Sequence, residues 1–358
     1  MATGDRSESL PGQPSLTFSG TVGRTYPAAA FPKQDLLIDP RRFDSEGNWA
    51  FCRFASDEVP AVRMGFQRGG FNIGTADRKP DRDLLQLHLE VMGGDGGRLW
   101  LPTGRYPASA ALTDPERLDV RLEHDGREIF RLRGWPEMQW HFRSEEGELE
   151  VELAVTIHTV TILPDCLLPR CVFSMWETMG SAKGLVRIGG REVRVEGKIF
   201  YDHPRILPVV RAVAPRKMYL YTTMYFEDGS GLFGYHAVDE RNRAIPYYCF
   251  GVYIDPAGKG SFLPKAQTRG LEIGADNIPT RWSLEWEDGG VAVAADITVQ
   301  DLPLQRAWGS ASAPRRRSDF IIFPLVLDGA AAISAGGRTR RLAGYGLAEY
   351  FNAEHWPA

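Results

Sequence analysis

Asp202 and His203 close the stretch "GGREVRVEGKIFYDH" (Gly189–His203), and an acid beside an imidazole is a pair that can move protons. Burial can keep a carboxylic acid protonated, so that Asp202 can serve as the acid and His203 can orient it. The chain writes nearly the same phrase again from Gly336, as "GGRTRRLAGYGLAEY". Gly189, Gly190, Arg191, Arg194 and Gly197 recur, at one constant offset, as Gly336, Gly337, Arg338, Arg341 and Gly344. Asp202 then falls on Glu349, which becomes a third candidate. Tyr201 and His203 have no counterpart, because Ala348 and Tyr350 stand in their places. A structural reading competes: the shared carboxylate pairs with Arg191 or Arg194, and the lone His is a hydrogen-bonded core residue.

These residues must be positioned by strands. "GELEVELAVTIHTVTIL" (Gly147–Leu163) alternates with period two. Asp125-Gly126 joins two more alternating runs, the strongest short hairpin signal. Further turns are expected at Asp228-Gly229-Ser230-Gly231 and Asp255-Pro256-Ala257-Gly258. With 38 Gly and 24 Pro punctuating short strands, the chain reads as all-β. The best helical candidate is a single turn at "TDPERL" (Thr113–Leu118), capped by Thr113 or Asp114. In the repeat, the Gly pair is expected to make a turn and the later Gly a bulge or bend.

A second echo lies upstream of the first. "WHFRSEEGELEVELAV" (Trp140–Val155) matches "WSLEWEDGGVAVAADI" (Trp282–Ile297), so that Trp140 answers Trp282. Two echoes in the same order argue for a duplicated domain. The expected layout is a flexible arm over 1–40, a first β-domain over 41–207, a linker at 208–217 and a second β-domain over 218–358.

Composition excludes several classes. The chain has 358 residues, 43% hydrophobic and 25% charged, with a formal net charge of -4. It is long enough for two domains with sizeable cores. The charge gives no reason to expect nucleic acid or an anionic membrane as partner. The polar start has no signal-peptide pattern. The longest apolar run, "FIIFPLVL" (Phe320–Leu327), is too short to span a bilayer, and Pro324 suggests an edge or bulged strand. A soluble cytoplasmic protein without a transmembrane segment is expected. Cys52, Cys166, Cys171 and Cys249 lack metal spacing and read as buried thiols. His88, His124, His141 and His158 show no local metal pattern. "GGFNIG" has no strand–helix unit around it, and "PRRR" (Pro314–Arg317) reads as a solvated loop. Nothing sets the oligomeric state.

The chain resembles the two-domain lipocalin-like proteins that include carotenoid 1,2-hydratase, kievitone-type hydratases and fungal decalin-forming Diels–Alderases. The first domain of that family closes with G-x-G-Y-x-D-H. Gly197, Phe200, Asp202 and His203 fit this register, with Ile199 for the second Gly. The second domain closes with G-x-G-Y-x-E, which Gly344, Gly346 and Glu349 fit, with Leu347 for the Tyr. "SEGNWAF" (Ser45–Phe51) resembles the opening Ser-Glu-Trp strand, and Tyr219, Tyr221, Asp228 and Gly229 fit the opening of the second domain. The family's D-H-x-W-G continuation is absent, since Pro204-Arg205-Ile206 follows His203.

The resemblance implies two lipocalin-like antiparallel β-domains and a cavity between or within them for an apolar polyene, isoprenoid or polyketide. It implies hydration or cyclisation without cofactor or metal, with Asp202, His203 and Glu349 as the catalytic candidates. The expected substrate contacts are Trp49, Trp140, Tyr201, Tyr219, Tyr221, His236 and Tyr247, with Tyr225, Tyr235, Phe250 and Tyr253 as further strand aromatics. A Diels–Alder step needs shape and one donor, for which a Tyr, a Trp, His236 or Arg205 would serve. Other readings are a carrier of an apolar ligand and an inert partner in a biosynthetic complex.

Overall fold

In a computed structural model of the chain, alternating apolar residues between Gly- and Asp-rich turns form 22 strands among the described residues. The structure describes residues 11–36, 38, 43, 45–69, 81–93, 98–168, 171–208, 216–239, 241, 243–245, 249–264, 267–274, 278–300 and 323–352. The first thirteen strands are β1 (Thr25–Pro27), β2 (Ser45–Phe54), β3 (Ala61–Gly69), β4 (Asp81–Met92), β5 (Arg98–Pro107), β6 (Ala111–Asp114), β7 (Asp119–His124), β8 (Arg127–Arg133), β9 (Glu137–Arg143), β10 (Leu149–Ile162), β11 (Cys166–Leu168), β12 (Cys171–Ile188) and β13 (Arg191–Pro208). The remaining nine are β14 (Arg216–Phe226), β15 (Gly231–Asp239), β16 (Phe250–Ile254), β17 (Gly260–Pro264), β18 (Gln267–Ile273), β19 (Pro279–Asp288), β20 (Val291–Val299), β21 (Phe323–Ala335) and β22 (Arg338–Asn352).

The two groups form two antiparallel sheets, and the duplication is visible in their strand order. The first sheet runs β5-β4-β3-β2-β13-β12-β10-β9-β8-β7-β6. The second runs β17-β16-β15-β14-β22-β21-β20-β19-β18, which matches the first nine positions of the other. Asp202 on β13 and Glu349 on β22 therefore occupy equivalent strands. Trp140 on β9 and Trp282 on β19 are both buried in equivalent places. Apolar side chains gather in three clusters: inside the first sheet, on the far face of the second, and between the two sheets.

The turns fall where the sequence puts them. Asp125 and Gly126 take φ of 49° and 73° in the β7–β8 hairpin. Gly189-Gly190 and Gly336-Gly337 all take positive φ and close the β12–β13 and β21–β22 hairpins. Gly197 answers a different need from the expected bulge. The β12–β13 ladder is unbroken, and a Cβ at Gly197 would lie 2.1 Å from the Arg53 carbonyl oxygen. Close approach of β2 is what excludes a side chain there.

Three expectations differ. "TDPERL" is the end of β6 and a turn rather than a helical turn, with Asp114 accepting from the amides of Glu116 and Arg117 at 3.1 and 3.2 Å. Pro324 lies on an internal strand, β21. Its partner β20 ends its ladder at Leu327, so Pro324 needs to pair only with Glu349 of β22. Much of the expected flexible arm is packed: β1 pairs with β10, and Phe18, Val22, Ala28 and Phe31 are buried in the first core. Most of the expected linker, 209–215, lies outside the described residues, as does "PRRR". Cys52 and Cys249 are buried free thiols, and burial pushes Cys52 far above its usual range. No helix among the described residues is long and apolar enough to cross a membrane.

Candidate functional site

Period-two alternation on β13 sends neighbouring side chains to opposite faces. Tyr201 and His203 point into the first core, whereas Phe200 and Asp202 point toward the second sheet. The two candidates that are adjacent in sequence thus belong to different sites.

Asp202 opens a row that crosses the first sheet. Its register partner on β12 is Glu177, and on β2 it is Trp49; the row continues through Gly65 to His88. Directly paired residues have Cβ atoms about 5 Å apart. A parallel row holds Met179, Phe200, Phe51, Arg63 and Glu90. From the second sheet, Glu349 on β22 pairs with Tyr221 on β14, which pairs with Tyr235 on β15. The outcome brings four carboxylates, Asp202, Glu177, Glu90 and Glu349, together among aromatic rings. Tyr221 and Tyr235 lie 4.5 Å apart, and Phe51 meets Tyr221 at 5.8 Å.

Arg63 ties the two sheets together. It donates to Glu349 across the interface and to Glu90 at 3.3 Å, and contacts His88 Nε2 at 3.0 Å. Its guanidinium lies 4.7 Å from the Trp49 ring. That ring covers Gly65, where a Cβ would fall 2.3 Å from it. Tyr219 donates to Glu349 at 3.4 Å. Burial would raise the Glu90 carboxyl, but His88 and Arg63 more than offset it and hold it below its usual range.

Asp202 and Glu177 are different. Glu177 is fully buried, and among the described residues neither of its oxygens has a well-placed hydrogen-bond partner, the Tyr221 hydroxyl being the polar group beside it; Asp202 Oδ1 has none either. Burial pushes Glu177 well above the usual carboxyl range, reinforced by the charge of Glu349. Burial raises Asp202 in the same way, aided by Glu177 and Glu349 against the pull of Arg63. Both carboxyls thus favour the protonated form, the form that can give a proton rather than only accept one.

The other candidates are distributed as follows. Trp49, Tyr219 and Tyr221 join Asp202 and Glu349, with Tyr225, Tyr235 and Phe250 in the same apolar cluster. Trp140, Tyr201 and His203 lie in the first core, where Tyr201 meets Trp140 at 5.3 Å and Trp176 at 5.2 Å. His203 is saturated: Nε2 meets Glu46 at 2.7 Å, Nδ1 meets Asn48 at 2.7 Å, and its ring stacks on Trp176. Arg205 donates to the same Glu46 oxygen at 2.6 Å. His236 is half-buried beside Cys249 Sγ at 3.7 Å, away from the carboxylates. Tyr253 packs in the far core of the second sheet and accepts from Arg340 at 2.7 Å. Tyr247 lies outside the described residues. Arg191 pairs with exposed Glu58 at 3.2 Å, and it is Arg63 that pairs with Glu349. Glu177 and Arg63 went unnoticed in the sequence, although each is a lone charge within an apolar strand run, "FSMWETM" and "AVRMGF".

Two further features border the site without joining it. His141, Glu150 and Glu152 bring ligand atoms within 4.8 Å of one another, but Arg187 donates to both carboxylates at 2.8 Å, so an ion-pair cluster accounts for them. A cavity of about 520 Å³ opens in the first domain, lined by Leu132, Trp135, Met138, Asn48 and Tyr201 among others. It lies on the His203 side of β13, not the Asp202 side.

No protein-family model matches the sequence. No curated protein matches it either. Solved structures do. A structure from Nitrosomonas europaea described as AttH is similar with a TM-score of 0.56 at 14% identity, over 89% of this chain and 95% of that one. Kievitone hydratase from Nectria haematococca is similar with a TM-score of 0.50 at 8% identity, over 96% and 98% of the two chains. At these identities the likeness is one of fold. The chain has the two-domain lipocalin-like all-β fold that its motifs resemble.

Proposed function

We propose that this chain is a cofactor-independent hydratase or cyclase that protonates an alkene of an apolar isoprenoid, polyene or polyketide between its two sheets. The observation that carries the reading is the Asp202–Glu177 pair: two buried carboxyls, each raised well above the usual range, with Asp202 Oδ1 and both Glu177 oxygens lacking a well-placed hydrogen-bond partner among the described residues, inside an aromatic enclosure. Buried polar atoms without partners are rare and mark functional constraint. Kievitone hydratase, whose frame the chain shares, is a hydratase by name, which agrees with the reading.

Asp202 is the proton donor. Its O–H bond breaks as a C–H bond forms on the less substituted alkene carbon, leaving a tertiary cation. The faces of Tyr221, Tyr235 and Phe51 stabilise that cation. In hydration, water adds to the cation and its surplus proton returns to the carboxylate of the pair, so the enzyme is restored. In cyclisation, a second double bond attacks the cation and a C–H proton returns to the same carboxylate. Glu349 is a positioning residue: held by Arg63, its charge keeps protons on the pair. Trp49 and Tyr219 wall the same enclosure. His203 has no part in this chemistry.

The test is incubation of the protein with an apolar extract of its source in ¹⁸O-labelled water, read by liquid chromatography–mass spectrometry against Asp202→Asn. A product one labelled water heavier indicates hydration. An isomer of unchanged mass indicates cyclisation. A compound bound and recovered unchanged contradicts both and makes the chain a carrier.

A further inference from the structure

The first-domain cavity is a separate binding site, and the geometry points to a neutral, largely apolar occupant bearing one hydroxyl or carbonyl oxygen. Its volume of about 520 Å³ is within the range of small-molecule sites. Leu36, Leu132, Trp135 and Met138 give it apolar walls. Gln34, Thr113, Asp114 and Asp119 are polar lining residues, and at one end Asn48 and Tyr201, 2% and 3% exposed, supply buried polar atoms to its wall.

That polar end is built and rigid. Asn48 Oδ1 accepts from the Tyr201 hydroxyl at 2.8 Å and contacts His203 Nδ1 at 2.7 Å. Behind His203 stand Glu46 and Arg205, each 2% exposed. Burying such a charged chain is expensive in isolation, and one result is a fixed Asn48 amide. Its carbonyl is taken on both sides. Among the described residues its Nδ2 has no hydrogen-bond partner, so it is the donor left for an oxygen of the occupant.

The mouth selects against anions. No Lys or Arg is among the described lining residues, whereas Asp114 and Asp119 are. Beside them Leu118 holds φ of 51°, a left-handed conformation that an L-residue keeps only under constraint from its surroundings. The Leu118 carbonyl accepts from Gly134 at 3.1 Å, which fixes this turn at the cavity's edge. A fatty acid or a phosphate ester would meet the Asp114 and Asp119 carboxylates, which already engage the cations Arg117 and Arg131, while an alcohol or ketone meets no such penalty.

Calorimetric titration with farnesol, the hydrocarbon farnesene and the anion farnesoate tests the site, with no variant needed for the selectivity arm. Farnesol should bind roughly 5-fold tighter than farnesene, the effect of one neutral hydrogen bond, and farnesoate should bind weakest. Met138→Trp, which fills the cavity, should reduce farnesol affinity at least tenfold; its melting temperature is measured to confirm a folded protein. Unselective binding, preference for the anion, or full affinity in folded Met138→Trp would overturn the inference. Because the site is read by binding alone, its failure leaves the reaction proposed for the interdomain acids untouched, and the converse holds.

Discussion

Asp202 and His203 are neighbours in sequence and face opposite sides of one sheet: His203 is locked to Glu46 and Asn48 in the first core, and Asp202 faces Glu349 across the interdomain contact. The proposed proton donor and a hydrogen-bonded core residue are thereby separated by a single peptide unit.

His203→Ala is accordingly a stability variant. It removes one buried partner each from Glu46, which keeps Arg205, and Asn48, which keeps Tyr201, at a cost of about 1–3 kcal/mol. Urea unfolding measures this, while turnover per folded molecule should be unchanged. A loss of turnover with normal stability would place His203 back in the reaction.

The acid pair sets a pH trend. Both carboxyls have folded-state pKa values above the unfolded range of about 4, so the folded chain keeps protons that the unfolded chain releases. Their contribution is complete below that range and is lost as pH rises through the folded values. Melting temperature followed from mildly acid to alkaline pH should fall less steeply in Asp202→Asn and Glu177→Gln than in the wild type. Identical slopes would mean that the pair is ionised in the fold.

Arg63→Met should destabilise by about 3–5 kcal/mol, because Glu90 and Glu349 lose their shared cation. Arg63→Met/Glu349→Gln should recover part of that loss. A double-mutant cycle by chemical denaturation would show a coupling of about 0.5–3 kcal/mol, and strict additivity would contradict the bridge between the sheets.

Gly65→Ala should disturb the enclosure without touching a charge. The new methyl would fall 2.3 Å from the Trp49 ring, so the ring must move off Arg63. The expected loss is about 1–3 kcal/mol with a changed Trp49 fluorescence signal, compared against a Trp49→Phe control. An unaltered spectrum and stability would show that the ring is not pinned there.

Much of this architecture is legible before any coordinates. Period-two runs, Asp125-Gly126 and the paired glycines specify strands and hairpins locally, and the echo of Asp202 in Glu349 reflects a duplicated strand order. The opposite facing of Asp202 and His203 was also present in that period, although their adjacency suggested a pair. The partners of the carboxylates were not readable. Arg63 and Glu349 are 286 residues apart, and which sheet faces meet is decided by packing. The N-terminal segment deceived for a related reason: Phe18, Val22 and Phe31 bury singly, with no period to announce them.

Infrared difference spectroscopy of wild type against Asp202→Asn at neutral pH, repeated with Glu177→Gln, tests the central claim most directly. The account predicts that each substitution removes a protonated-carboxyl C=O band. Loss of carboxylate bands alone would show both groups ionised and would contradict an acid-initiated reaction at this site.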